Sequence, residues 1–187
     1  MIIILYSLFW APPPPDLKSV QTEKSKVTQN DSSEAPSLEQ NDETIKISRE
    51  EAMNEGKRIL FENEFIKGSI SLEGGVIDDL ELKTYDKSLG SKDKILLLNP
   101  SSTNEGYTFN TGWVTKSNID TPSSKTIWSI DGPNKITPNN PVKIYFESDE
   151  GFRFERIISL DNKYLFNIKQ ILVNKSDQTL KFYPYAM

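Results

Sequence analysis

From Ile59 onward, apolar and polar residues alternate in short runs divided by turn-forming clusters, the signature of antiparallel strands in a sandwich or barrel and not of a βαβ protein. In the stretch Gly68–Tyr85, Ile70 and Leu72 share one face of a pleated strand, as do Leu80 and Leu82, while Ser69, Ser71, Glu81 and Lys83 fall on the opposite face. Gly74-Gly75 between them supplies the positive φ angles that a tight hairpin needs. A second hairpin is clearer still. Phe152, Phe154, Ile158 and Leu160 line one face, Asp161-Asn162-Lys163 turns the chain, and Tyr164, Phe166, Ile168 and Leu172 line the returning strand. If the register sets Phe154 opposite Phe166, that pair contributes several tenths of a kcal/mol beyond burial. Asn174-Lys175-Ser176-Asp177 predicts another turn, and Leu180, Phe182 and Pro184 begin a further strand. Ahead of the strands, Ser48-Arg49-Glu50-Glu51 matches a helix capping box and predicts a short helix to about Gly56.

The N-terminal part follows different rules. Met1–Ala11 is apolar and uncharged, about half the roughly 20 residues that cross a bilayer as a helix. It reads either as a buried strand or, with Trp10 at its polar boundary, as the remaining end of a first transmembrane helix. Pro12-Pro13-Pro14-Pro15 favours a stiff extended spacer. Asp16 to about Thr44 is too polar to bury enough surface to offset its ordering entropy, so residues 12–47 read as a disordered linker. Asn30-Asp31-Ser32 fits a glycosylation sequon, a weak match in such a tract. The expected organisation is therefore 1–11, membrane-helix remnant; 12–47, linker; and 48–187, a β-sandwich domain cut at its C-terminal end.

Composition narrows the chemistry. With 187 residues, 36% of them hydrophobic, the chain has material for one ordinary domain plus extensions. A net charge of −5 with no basic stripe argues against nucleic acid as a partner. Cysteine and histidine are both absent, which removes thiolate nucleophiles, disulfides, Cys-ligated metals and every imidazole acid, base or ligand. No cofactor and no metal is expected.

A few side chains remain to be weighed. Asp78 and Asp79 could together bind a cation or supply a base, but adjacent strand residues face opposite ways, which predicts a solvated turn or strand edge. Trp113 and Trp128 could line a cleft or meet a partner, although inter-sheet packing is the more ordinary use of an indole. Arg153 and Arg156, three apart, face opposite ways in a strand and form no patch.

Several segments in order resemble one family: Gly68 to Tyr85, Ile95-Leu96-Leu97-Leu98-Asn99-Pro100, Tyr107 with Gly112-Trp113, Pro122 with Thr126-Ile127-Trp128, Gly151 to Phe154, Asp161 to Phe166, Leu172-Val173-Asn174, and Tyr183-Pro184-Tyr185-Ala186. They resemble the periplasmic domain of the YidC membrane-protein insertases of Gram-negative bacteria. Within them Gly68, Gly74, Gly75, Asp78, Asp79, Gly112 and Pro184 are the structural positions. The resemblance implies an all-β, antiparallel supersandwich shaped like the galactose mutarotases, standing in the periplasm between the first transmembrane helix and the insertase core in the bacterial inner membrane. It implies a non-enzymatic domain that assists insertion and folding of inner-membrane proteins, with the Sec accessory subunits SecDF and nascent membrane proteins as partners. The family's membrane core and groove arginine lie outside the match, so no insertase-site residue carries over. The other reading is a carbohydrate-binding, mutarotase-like sandwich without activity. Glu147 and Glu155 could mimic a mutarotase acid, but those enzymes also rely on histidines, and this chain has none.

Overall fold

The computed structural model describes residues 46–187, so the expected membrane-helix remnant, the sequon and most of the expected linker lie outside the described residues. One short helix, α1 (Arg49–Asn54), opens the described part. Its capping box is complete: Ser48 Oγ accepts from Glu51 N at 3.2 Å, and Glu51 Oε2 accepts from Ser48 N at 2.9 Å. The helix ends at Asn54, two residues before Gly56, whose φ of 70° turns the chain into the first strand.

Strands follow: β1 (Arg58–Glu62), β2 (Ile66–Ser71), β3 (Val76–Asp86), β4 (Lys94–Leu98), β5 (Thr111–Thr115), β6 (Ser129–Asp131), β7 (Lys135–Ile136), β8 (Val142–Glu147), β9 (Phe152–Leu160), β10 (Phe166–Asn174) and β11 (Phe182–Ala186). They form a five-stranded sheet in the order β4-β3-β2-β1-β7, a four-stranded sheet in the order β10-β9-β8-β6, and a two-stranded ladder of β11 and β5. Every pairing is antiparallel except the two-residue contact of β7 with β1, which is parallel.

The two larger sheets bury their inner faces against each other. Ile59, Phe61, Ile66, Ile70, Ile77 and Leu80 come from the first, and Val142, Ile144, Phe152, Phe154, Ile158 and Leu160 from the second. Each fully buried side chain of this size contributes about 1.5–3 kcal/mol. The Phe61 ring meets Phe166 edge-on with centroids 5.0 Å apart, joining β1 to β10 across the core. This is the antiparallel β-sandwich that the alternation predicts.

The β2–β3 hairpin turns at Gly74 (φ 72°) and Gly75 (φ 63°), as the diglycine requires. Its tip is tied down by Gly74 N donating to Thr126 O at 2.8 Å and by Trp128 N donating to Leu72 O at 2.8 Å. Between Ser69 and Ile70 the register shifts: Ser69 opposes Asp79, Ile70 opposes Ile77, and Asp78 is the extra residue of a β-bulge.

Two expectations about the second hairpin need correcting. The register sets Phe166 opposite Leu160 and Phe154 opposite Leu172, so the two phenyl rings do not face each other. Tyr164 belongs to the turn, where Asp161 Oδ1 accepts from Lys163 N and Leu165 N, both at 2.8 Å. That Asx-type turn is longer than the three residues expected, and turn length sets the register.

Candidate functional site

Two arginine-centred clusters carry the unusual chemistry. The first lies on the outer face of the five-stranded sheet. Because Asp78 is the bulge residue, both it and Asp79 turn outward, and neither is solvated: they are 8% and 5% exposed. Arg58 pairs with Asp78, and Arg49 of α1 pairs with Asp79. Ser69, fully buried, links them by donating to Asp79 Oδ2 at 2.9 Å and accepting from Arg58 Nε at 2.8 Å. The expectation of a solvated pair on opposite faces is thus overturned, since the bulge breaks strict alternation and the covering arginines exclude water. Burial raises the Asp78 carboxyl above the usual carboxylate range, and Arg58 opposes that rise. With an arginine on each, the aspartates are not a free carboxylate pair. Among the described residues no three acidic side chains converge as a metal site would require.

Arg156 forms the second cluster, inside the sandwich. It stands on β9 in phase with Phe152, Phe154, Ile158 and Leu160 and is 2% exposed. Its guanidinium has no carboxylate in its hydrogen-bond set. Instead Nη1 donates to Gly75 O at 2.7 Å, Nη2 donates to Thr111 O, and the group lies 4.2 Å from the Trp128 ring centroid. Burial lowers its pKa to about 10, so it stays protonated at neutral pH. Carbonyl dipoles and indole faces are what stabilise this desolvated cation. Arg153, on the opposite face of β9, pairs with Glu147 and Glu155, so the expected divergence of the two arginines holds.

The remaining predicted positions surround these clusters. Trp113 and Trp128, 5% and 1% exposed, stack with centroids 6.4 Å apart. They are core residues beside Arg156. Gly112 lies against the Tyr185 ring, where a Cβ would come within 2.6 Å of it. Pro184 opposes Trp113 in the β11–β5 ladder, a two-stranded pairing with room for a residue that lacks an N–H. Gly68 allows a close approach, since a Cβ there would lie 2.0 Å from Asp79 O.

Sequence reasoning weighed Arg156 only as diverging from Arg153, without assigning it to the core, and did not single out Arg49 or Arg58 as partners of the aspartates. For Arg156 a signal was present: it occupies the one polar place in the run 152, 154, 156, 158, 160. For Arg49 and Arg58 there was none, because their partners lie 30 and 20 residues away.

Comparison with known proteins places the chain in a family. Residues 58–187 match the family model described as the YidC periplasmic domain. The chain is 44% identical over 186 residues to the membrane protein insertase YidC of Pelagibacter ubique, covering 99% of this chain and 33% of that protein. It is 35% identical over 144 residues to the YidC of Bradyrhizobium diazoefficiens and 34% identical over 142 residues to that of Methylobacterium radiotolerans, covering 75% of this chain and 23% of each of those proteins. It therefore spans a third or less of the length of these curated relatives. The match over residues 58–187, together with 44% identity along nearly the whole chain, means that this antiparallel sandwich belongs to the YidC periplasmic domain family.

Proposed function

We propose that this chain is the periplasmic portion of a membrane-protein insertase, anchored at the bacterial inner membrane, and that it assists insertion and folding of inner-membrane proteins without catalysing a reaction. The observation that carries this reading is the 44% identity along nearly the whole chain to a protein named as such an insertase. The side-chain chemistry supports a non-catalytic role. Asp78 and Asp79 are each engaged by an arginine, and Arg156 is committed to backbone carbonyls, so none of the three is presented to a substrate. Nascent membrane proteins are the clients in this reading, and the SecDF accessory subunits the neighbouring partners. The carbohydrate-binding alternative loses its stacking platform, because both candidate indoles are inside the core.

The test is to deplete the native insertase, express this chain alone, and measure insertion of a dependent client together with co-purification of SecDF. The expected result is failed insertion with SecDF recovered. Restored insertion would overturn the assisting role, and failed insertion without SecDF would leave the domain a spacer.

A further inference from the structure

The helix α1 crosses the outer face of the five-stranded sheet with very little holding it. Six residues are far too few for a helix to be stable by itself. Its one buried residue is Ala52, which offers a single methyl group to the sheet. The rest of its attachment is narrow: Ile47 and Met53 are only half-buried, and the polar ties are Arg49 to Asp79, Lys46 Nζ to Ser101 O at 2.9 Å, and Ile47 N to Ser102 O at 3.0 Å. Arg49 is also the more accessible member of its ion pair, with a third of its side chain exposed against 7% for Asp79.

Beneath this loosely held element the sheet is not finished as an ordinary solvated surface. A depression of about 470 Å³ opens on the Arg49–Met53 side of α1, floored by Leu60, Gly68 and Asp79. Another of about 320 Å³ opens on the Ala52–Glu55 side, floored by Ser71, Val76 and Asp78. The helix is the wall that they share. Lifting it would join them into one trough along β1, β2 and β3. The family-model match, moreover, begins at Arg58, after α1.

We propose that α1 is a releasable strap over the outer face of the five-stranded sheet, with the Arg49–Asp79 ion pair as its clasp. Closed, it separates the two depressions and covers Ser69 and Asp79. Open, it exposes a continuous trough whose floor carries Leu60, Ser69, Asp78 and Asp79. Since α1 joins residues 1–45 to the first strand, a pull on the N-terminal segment acts on the strap before it reaches the sandwich. This is local opening of a low-stability unit, distinct from unfolding of the core.

Hydrogen exchange on the whole 187-residue chain tests it. The Ala52 and Ile47 amides should exchange at least a hundredfold faster than those of β2 and β3. Arg49→Ala should speed the strap amides about tenfold and leave β9 and β10 unchanged. The absence of cysteine gives a second readout, because Ser69→Cys creates a lone thiol under the clasp. Its reaction with a soluble disulfide reagent should also become about tenfold faster when Arg49→Ala is added. Strap and strand amides exchanging together, or a thiol that reacts only at the global unfolding rate in both backgrounds, would overturn the proposal. If Ser69→Cys does not fold, the exchange measurement decides alone.

Discussion

The outer-face cluster and the core cluster solve the same problem, a cation out of water, in opposite ways. Arg58 at the outer face is matched by a carboxylate, Asp78, and the two charges compensate each other at the cost of desolvating both. Arg156 in the core is held by neutral groups only, backbone carbonyls of Gly75 and Thr111 and the face of Trp128. The comparison teaches what each arrangement leaves behind when it is broken. Removing Arg58 strands a buried anion, whereas removing Arg156 strands dipoles. A charge without its partner is the worse remnant.

The largest expected effect follows from this asymmetry. Arg58→Ala should lower unfolding free energy by about 3–5 kcal/mol, the usual cost of breaking one side of a buried pair. Adding Asp78→Asn should recover a good part of that loss. Denaturant melts of the two single variants and the double variant give the coupling directly. If the double variant is as unstable as Arg58→Ala, the ion pair is not what holds this face.

Arg156→Met should cost less, about 2–3 kcal/mol, because the thioether fills most of the space while two or three carbonyls lose a donor. No second substitution at a carboxylate should rescue it. A loss equal to that of Arg58→Ala would mean that carbonyl dipoles bind this cation as tightly as a carboxylate does, and the contrast would fail.

The smallest effect is a matter of pH. Burial holds the Asp78 carboxyl above its ordinary value of 3.8, so between that value and its native pKa the folded protein binds more protons than the unfolded chain. Its contribution to stability therefore falls as pH rises through that window. Glu62 and Asp131 behave oppositely. Lys83 and Lys143 respectively lower their carboxyls, and their contributions are lost as pH falls. Carboxyl-detected NMR should find the Asp78 midpoint above 3.8 and, in Arg58→Ala, higher again. A midpoint at or below 3.8 would show that Arg58 outweighs burial.

Much of this molecule was legible from residue order alone. Alternation located both hairpins, the diglycine gave the left-handed turn, and the Ser48–Glu51 spacing gave the capped helix, because each depends on neighbours within a few residues. The even-numbered run through β9 carried a parity signal for Arg156 that the sequence reading did not use, and what would compensate its charge could not be read there. Gly75, Thr111 and Trp128 are brought to it from 81, 45 and 28 positions away by sheet packing.

Only the tertiary structure decided the fate of Ser69, Asp78 and Asp79. Parity puts Ser69 on the face away from the core, and the structure agrees, yet that face is covered by Arg49, Arg58 and α1. Parity also sends adjacent aspartates to opposite sides, and one extra residue in the ladder cancels it. A period-two pattern records which way a side chain points. Whether water waits there depends on chain that arrives from elsewhere, and that is settled by the energy of packing the whole domain.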